Sequence, residues 1–217
     1  MVGQKGKGLL LLSGGFDSPV AGLLMMRQGF GIDAIHFSLE PVTDDAAERK
    51  CMELARVLGL ERIFVAKVGE EMAQIAAKCT RRYYFVLSKR FMVRVSERVA
   101  RKEGHGWLLT GENLGQVSSQ TLQNLTIIDS AAGLPVLRPL LGFDKQEIIA
   151  ISREGGMYEI SKGPEICDVL GPETPSTAAS LPAILEEESK IDCGALADAA
   201  IMKLKEHVLS PSKEVVA

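Results

Sequence analysis

Apolar residues along the chain fall into two kinds of run. Short, mostly apolar runs at 9–12 (LLLL), 34–37 (AIHF), 63–68 (IFVAKV) and 107–110 (WLLT) read as strands, with weaker candidates at 126–128 and 135–137. Between them, 20–28 and 46–58 place apolar residues at helical spacing among good helix formers. Gly29 and Gly59 stand just past their ends, where a left-handed cap costs glycine least. The segment 83–102 puts Leu87, Phe91, Met92, Val95 and Val99 on one face and Arg90, Arg94, Arg98 and Arg101 on another. Helices are also expected at 145–152, 181–190 and 195–208. Strands alternating with helices predict an α/β fold, a doubly wound and mainly parallel sheet with a C-terminal helical segment. Ligands of such sheets sit at the carboxyl ends of the strands.

Length fits a single domain over 1–217, with 171–217 as a turn-rich loop and helical tail packed on it. The 46% hydrophobic and 24% charged composition is that of a soluble protein, and no apolar run approaches the roughly 20 residues of a membrane span. The N-terminus lacks signal-peptide features. Cys51, Cys79, Cys167 and Cys193 are widely spaced without a CxxC pair, which argues against structural zinc and for free thiols in a cytoplasmic protein. The net charge of −3 speaks against a generally nucleic-acid-binding surface. The arginines of 83–102 nevertheless form a local basic stripe, continued upstream by Arg81 and Arg82.

The first block ends in SGGFDS, residues 13–18, where a helix must begin. Gly14 and Gly15 allow backbone to approach a ligand closely. Amides at a helix start point outward as unpaired donors at the positive end of the helix dipole, and Ser13 and Ser18 add hydroxyls. Such a turn suits phosphate or pyrophosphate. Asp17 repels an anion unless Mg²⁺ lies between carboxylate and phosphate oxygens. The spacing fits neither a Walker A loop nor a dinucleotide fingerprint. It resembles the PP-loop of ATP pyrophosphatases, which split ATP into AMP and pyrophosphate.

A second polar loop follows the strand at 107–110, within LLTGENLGQVSSQTLQNL (108–125). With VLSKRFMVRVSERVA (86–100), VLRPLLGFDKQEI (136–148) and PEICDV (164–169), the chain resembles the tRNA 4-thiouridine synthetase family over most of residues 8 to 195. By that resemblance ATP is contacted by Leu11, Leu12, His36, Phe37, Lys89, Gly111 and Gln120, together with loop residues Ser13, Gly14, Gly15, Asp17 and Ser18. The resemblance makes Asp17, Lys145 and Cys167 catalytic. Asp17 organises Mg²⁺, Lys145 assists adenylation, and Cys167 delivers sulfur.

The implied activity is an ATP-dependent tRNA uridine thiolase: uridine, at position 8, is adenylated and persulfide sulfur then displaces AMP to give 4-thiouridine. The resemblance covers the PP-loop domain alone, without the THUMP and rhodanese domains of longer members. Arg90, Arg94, Arg98 and Arg101, or a separate protein, are then expected to bind tRNA, and a separate donor to supply persulfide. Cys51 reads as core, Cys79 is ambiguous, and Cys193 is a weak candidate for the resolving thiol. A homodimer is compatible with the family, though no sequence feature shows one. Two alternatives stay open: a PP-loop enzyme acting on another tRNA base or a thiamine-pathway sulfur carrier, and a non-catalytic ATP- or RNA-binding module.

Overall fold

The computed structural model describes residues 6–115, 117–163 and 169–209. In chain order the elements are β1 (Lys7–Leu11), α1 (Asp17–Arg27), β2 (Gly31–Ser38), α2 (Ala46–Val57), β3 (Arg62–Lys67), α3 (Gly69–Lys78) and α4 (Tyr84–Lys102). There follow β4 (Trp107–Leu109), α5 (Leu122–Asp129), β5 (Val136–Leu137), α6 (Lys145–Glu154), α7 (Tyr158–Ser161), α8 (Leu181–Glu188), α9 (Cys193–Met202) and β6 (Lys205–Val208). Among the described residues six strands form one sheet in the order β5-β4-β1-β2-β3-β6. β1 pairs in parallel with β2 on one side and β4 on the other.

β1 carries leucines on both faces because both are covered. Leu9 joins Ile35, Phe64 and Leu108 under α3, α4, α5 and α9. Leu10 joins Ala34, Ile63 and Leu109 under α1, α2 and α6. Both leucines are fully buried, so truncating either to alanine costs about 2 to 5 kcal/mol. The chain builds β2 and β3 on one side of β1, then crosses to start β4 on the other. The reversal lies between β1 and β4, and there the carboxyl ends of a doubly wound sheet leave a crevice.

Gly29 (φ +86°) and Gly59 (φ +71°) take the left-handed conformation expected after α1 and α2. Two expectations fail. Residues 126–128 lie inside α5, whose start is fixed by the Thr121 side chain accepting from the Asn124 amide. The helix expected over 195–208 stops at Met202, and Lys205–Val208 pairs antiparallel with β3 as an edge strand. No helix among the described residues is long and apolar enough to cross a membrane.

Candidate functional site

Residues 13–18 leave β1 and enter α1 in a turn held by its own serines. The Ser13 amide donates to Ser18 Oγ (2.8 Å), the Ser18 hydroxyl donates to the Ser13 carbonyl (3.2 Å), and the Gly15 amide donates to Ser13 Oγ (3.4 Å). No hydrogen bond to another described residue engages the amides of Gly14, Phe16 or Asp17. These donors gather at the positive end of α1. The Ser161 hydroxyl of α7 donates to the Gly15 carbonyl (3.3 Å), tying the turn to α7.

The loop after β4 meets this turn across the crevice. A Cβ on Gly111 would lie 2.4 Å from the Ser18 nitrogen and 2.5 Å from the Asp17 carbonyl carbon, so only glycine lets the two loops approach. The same loop positions α6: the Leu114 amide donates to the Leu141 carbonyl (3.2 Å) and Asn113 Nδ2 donates to the Phe143 carbonyl. A capping box between Asp144 and Glu147 then starts α6, with Lys145 as its first residue. Lys145 Nζ lies 2.9 Å from Asp17 Oδ1 and 5.7 Å from the Phe16 ring centre. Two residues 128 positions apart are thus paired where the starts of α1 and α6 converge.

Lys89 reaches the crevice from α4 and pairs with Glu112 Oε1 at 2.6 Å. Glu112 Oε2 accepts from Arg138 Nε (2.7 Å) and from the Thr110 hydroxyl (3.1 Å). Arg138 also pairs with Asp129 (2.5 Å). Burial alone would raise the Glu112 carboxyl, but Lys89 and Arg138 outweigh it and hold its pKa at about 2. Glu112 and Arg138 did not emerge from the sequence reading. Glu112 directly follows Gly111, and Arg138 lies within VLRPLLGFDKQEI, but their pairing joins separate segments.

His36, at the carboxyl end of β2, is 4% exposed. Its Nδ1 lies 3.1 Å from the Leu12 carbonyl, which can only accept, so Nδ1 carries the proton and Nε2 is an acceptor. Burial depresses its pKa to about 4, so the ring is neutral at pH 7. Among the described residues, Nε2 and Gln120 Oε1 are both buried acceptors with no hydrogen-bond partner. Unmatched buried acceptors are expensive. A ligand offering N–H or O–H donors would satisfy them, as the amino group and ribose of ATP do. Leu11, Leu12 and Phe37 end the neighbouring strands and are half-buried or buried.

The arginines expected to face tRNA divide. Arg90 is 2% exposed; it binds Glu188 through Nε (2.8 Å) and Nη2 (3.0 Å) and donates to the Ile127 carbonyl. Arg94 also grips Glu188 (2.5 and 2.7 Å). Arg90 is therefore not a surface contact for RNA: α8 and α9 pack on this face of α4, and Arg90 and Arg94 neutralise the carboxylate buried by that packing. Burial raises Glu188, yet the two arginines hold its pKa at about 2. Arg98 pairs with Asp198, and Arg101 with Glu97 (2.7 Å), on side chains 39% and 59% exposed.

Cys167 lies outside the described residues, as does Gln116. Cys51 is fully buried beside His36 (3.2 Å to Nδ1), and burial pushes its thiol up to about 12. Burial, followed by nearby carboxylates, also raises the thiols of Cys79 and Cys193. None of these three carries the depressed pKa of a reactive thiol. Among the described residues no three His, Cys, Asp or Glu side chains gather as a metal site. The single carboxylate of Asp17 beside an anion cradle still fits Mg²⁺ shared with phosphate oxygens.

Residues 3–193 match the family described as thiamine biosynthesis protein ThiI. The chain is 42% identical over 215 residues to a probable tRNA sulfurtransferase of Alkaliphilus oremlandii, covering 96% of this chain and 55% of that protein. A probable tRNA sulfurtransferase of Coxiella burnetii is 40% identical, with 94% and 54% covered. The chain thus spans about half the length of the curated relatives it matches. A 4-thiouridine synthetase crystallised with RNA and bound ATP superposes with a TM-score of 0.91 at 36% identity, over 96% of this chain and 56% of that one. An NMN synthetase from Francisella tularensis (TM-score 0.57, 15% identity) shares the fold alone.

Proposed function

The chain belongs to the ThiI family of tRNA sulfurtransferases, and from that premise we propose that it is the ATP-cleaving part of an enzyme that thiolates tRNA uridine at position 8. The observation that carries the reading is the convergence of the Gly14–Gly15 turn, Asp17 and Lys145 across Gly111. In the structure of the 36% identical 4-thiouridine synthetase, ATP and RNA are bound together.

The amides at the start of α1 bind and orient the phosphates, and neutral His36 and Gln120 accept donors from the base and ribose. Mg²⁺, held by Asp17 and phosphate oxygens, supplies charge neutralisation when bound. Uracil O4 attacks the α-phosphorus of ATP as the N3 proton passes to solvent, the bond to the bridging oxygen of pyrophosphate breaks, and Lys145 stabilises the departing charge. A Cys167 persulfide then attacks ring carbon 4 and expels AMP. A second thiol must cleave the remaining S–S bond, leaving a disulfide for an external thiol to reduce. The raised thiol of Cys193 makes it a poor attacker for that task.

For tRNA, Arg98 and Arg101 are the reachable members of the stripe. The partners of this reading are tRNA and a separate persulfide donor. The family's description also favours a second reading, delivery of sulfur to a carrier in thiamine synthesis. Pyrophosphate release tests the adenylation half: the chain with Mg²⁺ and ATP should release pyrophosphate only when unmodified tRNA is added. Release driven equally without tRNA would contradict a tRNA acceptor.

A further inference from the structure

Lys50, on α2, lies against the opposite end of the anion-binding turn from Lys145. A Cβ on Gly14 would sit 2.7 Å from Lys50 Cδ, so the lysine stem runs over that glycine. The ammonium lies two bonds further on and donates to the Ser161 carbonyl at 3.3 Å. Ser161 in turn donates through its hydroxyl to the Gly15 carbonyl. α7 thus fastens both the turn and the lysine that crosses it. Lys50 also borders a cavity of about 550 Å³ between α2 and α7, lined by Ala46, Arg49, Glu53, Glu159 and Ile160. Among the described residues no carboxylate lies within ion-pair distance of Lys50, whereas Arg49 is paired with Asp45.

Charge balance gives this placement its meaning. Asp17 and Lys145 are paired at one end of the turn, where Mg²⁺ held by Asp17 would leave Lys145 to face the phosphates. The amides contribute dipoles only. A pyrophosphate leaving from this turn carries several negative charges, and Lys145 and Asp17 with Mg²⁺ serve one end only, which leaves the Gly14 end to Lys50. Lysine suits that position because its ammonium is a compact charge on a flexible stem, able to exchange a backbone carbonyl for phosphate oxygen.

We propose that Lys50 is a second ammonium of the site, contacting the pyrophosphate group directly and bracketing it with Lys145. The assignment rests on the ATP-cleaving reading above. Its test is calorimetric titration of the full chain with inorganic pyrophosphate and, separately, AMP, in the presence of Mg²⁺. Lys50→Met keeps the stem over Gly14 and removes the charge; Lys50→Arg keeps the charge. Lys50→Met should weaken pyrophosphate about tenfold or more while leaving AMP within about twofold, and Lys50→Arg should recover most of the loss. Unchanged pyrophosphate binding in Lys50→Met, or equal losses for pyrophosphate and AMP, would overturn the direct contact. A native chain that binds AMP but not pyrophosphate would overturn the ATP-cleaving reading and this assignment together.

Discussion

The Lys145 ammonium and the Asp17 carboxylate are 2.9 Å apart, although the two residues begin different helices and are far apart in sequence. Each holds the other at the mouth of the anion-binding turn. Asp17→Asn and Lys145→Met should each lower kcat/KM about a hundredfold or more while the protein stays folded. Because the two act as a unit, the double variant should lose far less than the product of the single losses. Steady-state pyrophosphate release measures all three.

Glu112 joins Lys89 to Arg138, and removing its charge strands Lys89 and leaves Arg138 with Asp129 alone. Glu112→Gln should cost about 3 to 5 kcal/mol in urea unfolding, as for one partner removed from a buried ion pair. It should also raise KM for ATP, because Lys89 loses the carboxylate that aims it. The native carboxyl titrates near 2, below its unfolded value of about 4.5. Its stabilisation is therefore present above pH 4.5 and lost as pH falls from there toward 2.

The basic stripe splits by role. Arg90→Met should destabilise the fold by several kcal/mol, because the buried Glu188 loses one of its two cations and the Ile127 carbonyl loses its donor. Arg98→Ala and Arg101→Ala should move stability by no more than about 1 kcal/mol, since their ion pairs are exposed. Chemical unfolding separates the two classes. The salt dependence of tRNA binding should be reduced by Arg98→Ala or Arg101→Ala at unchanged stability.

His36 supplies a pH signature. Its native pKa of about 4 lies below the unfolded value of 6.5, so the unfolded chain takes up the proton first as pH falls. Stability from this group is complete above pH 6.5 and lost progressively between 6.5 and about 4, by up to about 3 kcal/mol. His36→Asn should flatten that part of the stability curve in thermal melts across pH. A variant with the same slope as the native chain would remove His36 as its source.

Much of the sheet is legible in the sequence, because β1, β2, β3 and β4 are strands covered on both faces and appear as short, mostly apolar runs. The 126–128 block misleads because Thr126, Ile127 and Ile128 favour strands locally, whereas the Thr121 cap and burial of Leu125, Ile127 and Ile128 against α4 select a helix. The 205–208 strand is short and mostly exposed, so its pairing with β3 leaves little hydrophobic trace. At the site, the turn after β1 is readable because its glycines and serines fall within six residues, 13–18. The Glu112–Arg138 pair and the place of Lys50 are not, since each depends on contacts between distant segments. The arginine stripe is periodic in sequence whether it faces solvent or the Glu188 carboxylate. Only packing distinguishes the two.

The central claim is tested most directly by nucleoside mass spectrometry of unmodified tRNA incubated with the chain, Mg²⁺, ATP and a persulfide donor. The account predicts ATP-dependent 4-thiouridine at position 8, lost in both Asp17→Asn and Cys167→Ser, with tRNA-dependent pyrophosphate release retained in Cys167→Ser alone. Full 4-thiouridine formation by Cys167→Ser, or formation without ATP, would contradict it.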